Sequence, residues 1–410
     1  MSDKTFRRER FAGLCRILCA LVLAVLAGSA AAGPKAYVGN FKDNTVSVID
    51  TISRQVSATV PVSAGPHGMG IAPDGSRVYV SGDASTSVSV IDTRDDRIAG
   101  VIEVGQGPHG VALSPDGRTL LVAVNGADRV AVVDTGSQAV IATVPVAKPH
   151  TIAIRRDARV AYVSSQEPGH FALAVIDLEK HALIRSIPLD KPPRDLEFGA
   201  DGKFLYFTLA GVNAVQVLDP ASDRVVTTIP TGASPHYANL FKNAAYGLVV
   251  VQGPGELLLF DPVTNQPLRS IAVGKQPHWV ATSSDGKMAY VPNEGSNDLS
   301  VVDLASGKTS SIPVGNAPRK VVVQPSATEA TISINNFTFD PAMITIKAGE
   351  RVTWQNDDGA THAVVFTDGS PGTPSLEPGK SFRRTFDRPG LYDYVCAFHA
   401  YMTGRVEVSR

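Results

Sequence analysis

From residue 36 to residue 323 the chain alternates short apolar runs with turn residues, and the alternation repeats. A run closing on aspartate recurs at Asp50, Asp92, Asp134, Asp177, Asp219, Asp261 and Asp303, spaced by 42 or 43 residues. Each copy holds four strand-like pieces. In the second copy these cover 68–72, 77–81, 87–92 and 97–104, separated by turn residues. An Asp-Gly pair marks the first turn at Asp74-Gly75, Asp116-Gly117, Asp201-Gly202 and Asp285-Gly286. Seven copies of this length predict a propeller of seven four-stranded blades. The first copy opens on a second strand (36–40), and the array ends on a spare first strand (319–323). The spare strand is expected to complete the first blade and hide the sheet edges. After Gln324-Pro325-Ser326 the period stops. Residues 330–409 then alternate as about seven short strands: 331–334, 342–347, 351–356, 363–367, 381–386, 390–395 and 404–408. That density of strands fits a small β-sandwich. The expected fold is all-β: a seven-bladed β-propeller at 34–325 followed by a Greek-key β-sandwich at 330–410.

One repeat position carries chemistry. A Pro-His pair precedes the first strand of five blades, giving His67, His109, His150, His236 and His278, while the other two blades place Arg194 and Arg319 there. First strands line a propeller's channel, so these seven side chains are expected at one mouth, with His170 in a loop on the same face. His181 falls at a turn on the opposite face and is read as solvated. Three readings of the ring stay open: imidazoles that satisfy loop backbone groups, an anion or polar-ligand site using the arginines' fixed charge, and a metal site, since imidazole is a common metal ligand.

The N-terminus narrows the setting. Arg7, Arg8 and Arg10 precede an apolar run, 17–27, and Ala30-Ala31-Ala32. This order predicts a cleaved secretory signal at 1–32, too short to serve as a stable membrane span of ~20 residues. A periplasmic location follows. The remaining chain carries 33 basic and 37 acidic residues, a net charge of −4. There is no basic stripe to attract nucleic acid. Cys15 and Cys19 leave with the signal, so Cys396 is the only mature thiol. A metal ligand is a good explanation for a lone thiol in an exported chain.

Cys396, His399 and Met402 follow the spacing Cys-x2-His-x2-Met, with His362 upstream. A thiolate, two imidazoles and a thioether are the donors of a blue-copper site, in which Met402 is the long, weak ligand. A thioether argues against zinc.

Several resemblances rest on these residues. The repeat, with Tyr37-Val38-Gly39-Asn40 and Tyr290-Val291-Pro292-Asn293, resembles the YVTN family of seven-bladed propellers. This match speaks to fold more than function. Residues 330–409 resemble cupredoxins throughout: Phe339-Asp340-Pro341, Ile344, Ala348-Gly349, Val352-Thr353-Trp354, Asn356, His362, Tyr392, Tyr394, Cys396, His399 and Met402 follow that family's order. The tight ligand loop is most similar to amicyanin, and plastocyanin has a longer gap to its methionine. The resemblance implies one type 1 copper. Ala363 stands where many of these domains have asparagine, which alters the expected hydrogen bonding near the cysteine. The two-part architecture is similar to nitrous oxide reductase. That family's ring has seven histidines and its cupredoxin two cysteines, so nitrous oxide reduction is not expected here. The propeller also resembles the methylamine dehydrogenase heavy chain.

The favoured expectation is a periplasmic type 1 copper electron carrier with a propeller platform. Its partner would be a small cytochrome, another cupredoxin or a dehydrogenase, met near His399, Phe398 and Tyr401. The alternatives are a copper oxidoreductase with additional copper in the propeller ring, and a copper-handling or sensory binding protein. Strand direction places the linker on the face opposite the ring. Electron transfer between two sites is therefore expected across a head-to-tail homodimer.

Overall fold

The structure is a computed structural model that describes residues 34–199, 201–241, 245–325 and 329–409. The export signal expected at 1–32 lies outside the described residues. Seven four-stranded antiparallel sheets occupy residues 35–323. The second blade runs Pro66–Ile71, Arg77–Gly82, Ser87–Asp92 and Arg97–Glu103, within two residues of the sequence expectation at every end. Burial explains why these segments form strands. Middle-strand positions such as Val78, Val80, Val88 and Val90 are fully enclosed between neighbouring blades, while each outer strand has at most one buried position.

The first blade is assembled from both ends of the array. Pro318–Val323 pairs antiparallel with Lys35–Asn40, matching Val321 to Val38 and Val322 to Tyr37. The expected closure is therefore present, and Val38 and Val321 are both fully buried in one cluster with residues of the seventh blade.

The ring position has a distinct backbone. In the second blade Pro66 pairs with Gly82 and Met69 with Val80, so His67 and Gly68 together face the single residue Ser81. The same shift follows Pro108, Pro149 and Pro193, and a related shift follows Pro235. In the first-blade closure a shift brackets Arg319. A bulge inserts one residue and re-aims its side chain. Repetition of the bulge turns the ring residues out of the strand alternation and toward the channel mouth. The seventh blade differs. Its first strand is only Ala281–Thr282, beside Pro292, which has no N–H to donate. Pro292 still accepts a hydrogen bond from the His278 N–H at 3.0 Å.

Residues 329–409 form two four-stranded sheets packed on Trp354, Phe366, Phe386 and Tyr394. Eight strands are present instead of about seven. The extra one, Thr338–Asp340, forms a hairpin with Glu329–Asn335. Its turn residues Asn336 and Phe337 have φ of 51° and 56°. Phenylalanine is a poor signal for such a turn, which is why the sequence pattern missed the hairpin.

Replacing Val321 by Asp buries a charge in the closing ladder and is expected to cost roughly 3 kcal/mol or more. Circular-dichroism melting should show a drop of roughly 5–10 °C, while Val321→Ile should stay close to the wild type.

Candidate metal centre and channel ring

The four expected metal-site residues come from two adjacent parts of one sheet: His362 precedes the edge strand Val364–Phe366, while Cys396, His399 and Met402 close the inner hairpin of Gly390–Cys396 and Thr403–Ser409. Val364–Phe366 pairs with Gly390–Cys396, which places the segment after His362 beside Cys396. The ligand loop is pinned by its backbone. The Met402 N–H donates to His399 O at 2.9 Å, Cys396 N–H to Met402 O at 3.0 Å, and Ala397 N–H to Ala363 O at 2.9 Å. The last bond ties the cysteine loop to the residue where asparagine was expected, through its carbonyl instead of a side chain.

Cys396 Sγ lies 3.6 Å from Nδ1 of His362 and 3.6 Å from Nδ1 of His399. All three atoms fall within 4.8 Å of one another. Bonds of roughly 2.0–2.3 Å at roughly 110–120° around one ion would put ligand atoms roughly 3.5–3.8 Å apart. The spacing therefore fits a shared ion. Met402 is 2% exposed and packs in the same core as Cys396. His362 is fully buried, and His399 keeps a partly exposed edge.

Sequence reasoning missed Asp358. His362 Nε2 lies 3.0 Å from its Oδ2. A carboxylate only accepts, so Nε2 carries a proton, and in the neutral imidazole Nδ1 then faces the thiol with a bare lone pair. A carboxylate behind a ligand histidine fixes the ring and raises its basicity. Asp358 also accepts the N–H groups of Asn336 and Phe337, both at 2.9 Å. These bonds and His362 hold its carboxyl below the usual range against the upward pull of burial. They also steady the left-handed turn. Phe337 then meets the His362 ring edge-on at 5.5 Å and the His399 ring at 4.9 Å. In sequence, Asp358 is one of two adjacent aspartates in a loop, which carries no signal.

The propeller ring also forms. His67, His109 and His150 stack in series with centroids 3.8 Å apart, and His236 lies 4.0 Å from His278. His67 and His278 join the two groups at 5.4 Å. The arginines are engaged separately. Arg194 donates to Ser234 Oγ at 2.8 Å, and Arg319 pairs with Glu294 at 2.9 Å and stacks on Phe41. His170 instead lines a surface cavity with Asp128, Ala147 and Glu167.

Burial, reinforced by the neighbouring imidazoles, pushes His67, His109 and His278 well below the usual histidine range. Burial takes His150 to about 4 and His236 to about 3. The five ring imidazoles are therefore neutral at pH 7. His109 Nδ1 lies 3.0 Å from His150 O, and His150 Nδ1 lies 2.9 Å from Arg194 O. A carbonyl only accepts, so both Nδ1 atoms are protonated and both Nε2 atoms keep lone pairs. Those imidazoles cannot offer Nε2–H donors to an anion. Among the described residues no three ring nitrogens gather within 4.8 Å, so the rings would have to turn to share one ion.

Residues 326–409 match the family of copper binding proteins, plastocyanin/azurin family. Amicyanin-alpha of Methylorubrum extorquens is 34% identical over 95 residues, covering 22% of this chain and 79% of that protein. Plastocyanin of Scenedesmus fuscus is 40% identical over 83 residues, covering 17% and 85%. Through this C-terminal cupredoxin domain the chain belongs to the plastocyanin/azurin family. The array resembles Kuenenia stuttgartiensis hydrazine synthase, with a TM-score of 0.61 and 22% identity over 66% of this chain and 92% of that one. It also resembles apo AztD of Citrobacter koseri, with a TM-score of 0.56 and 17% identity over 71% and 97%. At these identities the likeness speaks to fold alone.

The role of Asp358 is measurable. Its negative charge behind His362 favours Cu(II), so Asp358→Asn should raise the reduction potential, by roughly 59 mV per tenfold change in that preference. Voltammetry of the copper-loaded protein should show this rise with copper content unchanged.

Proposed function

We propose that this protein is a periplasmic single-electron carrier. It would be exported through a signal at 1–32, with a propeller at 34–325 as docking or ligand platform and a cupredoxin domain at 330–410. His362, Cys396, His399 and Met402 are the proposed ligands of one type 1 copper. The carrying observation is the thiol held 3.6 Å from two imidazole nitrogens in a buried pocket. Copper in such a site exchanges one electron between Cu(II) and Cu(I). The residues do the remaining work. Cys396 supplies soft sulfur, the backbone bonds of its loop limit rearrangement, and the enclosing core excludes water. Phe398 and Tyr401, 55% and 71% exposed, flank the accessible edge of His399 as a contact surface for a cytochrome, cupredoxin or dehydrogenase. No helix among the described residues is long and apolar enough to cross a membrane.

A second reading, a copper oxidoreductase with another metal at the propeller ring, is favoured by the lone pairs of His109 and His150. In that reading His67, His236 and His278 join them, and electrons pass between the two copies of a head-to-tail dimer. A strictly monomeric mass at working concentration would remove the dimer route.

Elemental analysis with a visible spectrum separates the two readings. The carrier holds about one copper per chain, and Cys396→Ser loses both the intense blue band and the metal. Two or more coppers, with some surviving Cys396→Ser, would establish the enzyme reading instead.

A further inference from the structure

Below the ring the channel holds charged and aromatic residues that neither site uses. They come from first strands on different sides. Pro193–Phe198 carries Asp195 and Glu197, Pro235–Leu240 carries Tyr237 and Asn239, and Pro318–Val323 carries Lys320. Trp279 follows His278 in the seventh blade. Tyr237 and Trp279 stack at 3.5 Å with an 18° tilt, and Lys320 Nζ sits 3.5 Å over the Trp279 ring. Among the described residues Lys320 makes no ion pair within 4.0 Å, although the two carboxylates are its principal electrostatic partners. The blade order puts those carboxylates across the channel from it.

The charges do not balance, since two carboxylates face one ammonium. Burial pushes Asp195 upward and takes Glu197 to about 7, while Lys320 pulls both down, so a further cation beside them would favour their charged forms. A separate observation points the same way. Asn239 donates its Nδ2–H to Tyr237 Oη at 2.9 Å, and its Oδ1 is buried with no donor. Asn239 itself is 9% exposed. The orphaned group is this amide oxygen; Asp195 Oδ1 and Glu197 Oε1 accept the N–H groups of Leu196 and Phe198 at 3.0 and 3.1 Å, which leaves each carboxylate a second oxygen, and at the mouth His109 and His150 keep their Nε2 lone pairs. Lys320, the ammonium below the ring, already rests on an aromatic face, as ammonium groups do.

We propose that the propeller channel is a binding site for a small ammonium-type cation, held by Asp195, Glu197 and Asn239 against the Tyr237–Trp279 stack. Lys320 is its built-in competitor: the tethered ammonium occupies part of the site and repels the guest. The guest enters past neutral imidazoles that present lone pairs.

Trp279 reports occupancy directly, and Trp354, in the cupredoxin core, supplies a constant background. Full-length protein is titrated with ammonium chloride, with sodium chloride at matched ionic strength as reference. A saturable change in tryptophan emission with ammonium but not sodium is expected. Glu197→Gln should abolish it, with Asp195→Asn as a second variant, and far-UV circular dichroism reports folding. Lys320→Met should lower the half-saturating concentration at least about tenfold, because removing an internal competitor strengthens binding. No saturable response in wild type or Lys320→Met, or equal responses to sodium and ammonium, would overturn the proposal. An unchanged half-saturation in a folded Lys320→Met protein would overturn it as well. None of these readouts depends on the copper reading.

Discussion

The antiparallel ladder between Lys35–Asn40 and Pro318–Val323 is the constraint on which the rest of the molecule depends. It joins the two ends of a 42-residue repeat into a ring and buries Tyr37, Val38 and Val321. It also fixes where the chain leaves the propeller. The closing strand starts at Pro318, beside Arg319 in the histidine mouth, and ends at Val323 on the opposite face. The next strand, Glu329–Asn335, runs parallel to Arg351–Asn356, whose Asn356 end holds the loop around His362. The sandwich is thus entered at the end remote from the metal ligands. A Cβ on Gly349 at that remote end would lie 3.6 Å from Asp74 O, in a turn on the far face of the second blade. One propeller strand and one sandwich strand, each ~20 Å long, therefore separate the two histidine sites.

Both sites use one physical device. In each, an oxygen that can only accept selects which imidazole nitrogen carries hydrogen. At His362 the oxygen is the Asp358 carboxylate, and at His109 and His150 it is a carbonyl of the next blade. The consequences differ with position. At His362 the bare nitrogen is Nδ1, aimed at a thiol 3.6 Å away. In the ring it is Nε2, aimed at the channel. The repeated bulge sets up the second arrangement, since it frees the histidine from the strand's in-out alternation while the ladder resumes two residues later.

Legibility in the sequence followed the range over which residues act. Blade number, strand bounds and the closing strand were readable because each repeat supplies its own alternation and turn residues. The ligand set was readable because Cys396, His399 and Met402 share one loop. Asp358 was not, because its role depends on a hairpin turn more than 20 residues upstream. The channel cluster was hidden for a stronger reason. Asp195, Glu197, Tyr237, Asn239, Trp279 and Lys320 sit in four blades across 126 positions, each inside an ordinary strand or its edge. Only closure of the ring brings them together.

Phe337 shows how the copper end combines stability with access. Its backbone is held in an unfavourable left-handed conformation because Asp358 accepts both N–H groups of the turn. Its ring then packs edge-on to both ligand imidazoles, shielding His362 from solvent. The same contact leaves an outer edge of His399 uncovered between Phe398 and Tyr401. One carboxylate therefore orients the buried ligand, supports the strained turn and positions the ring that covers one imidazole more completely than the other. The asymmetry leaves His399 with an accessible edge while His362 is fully buried.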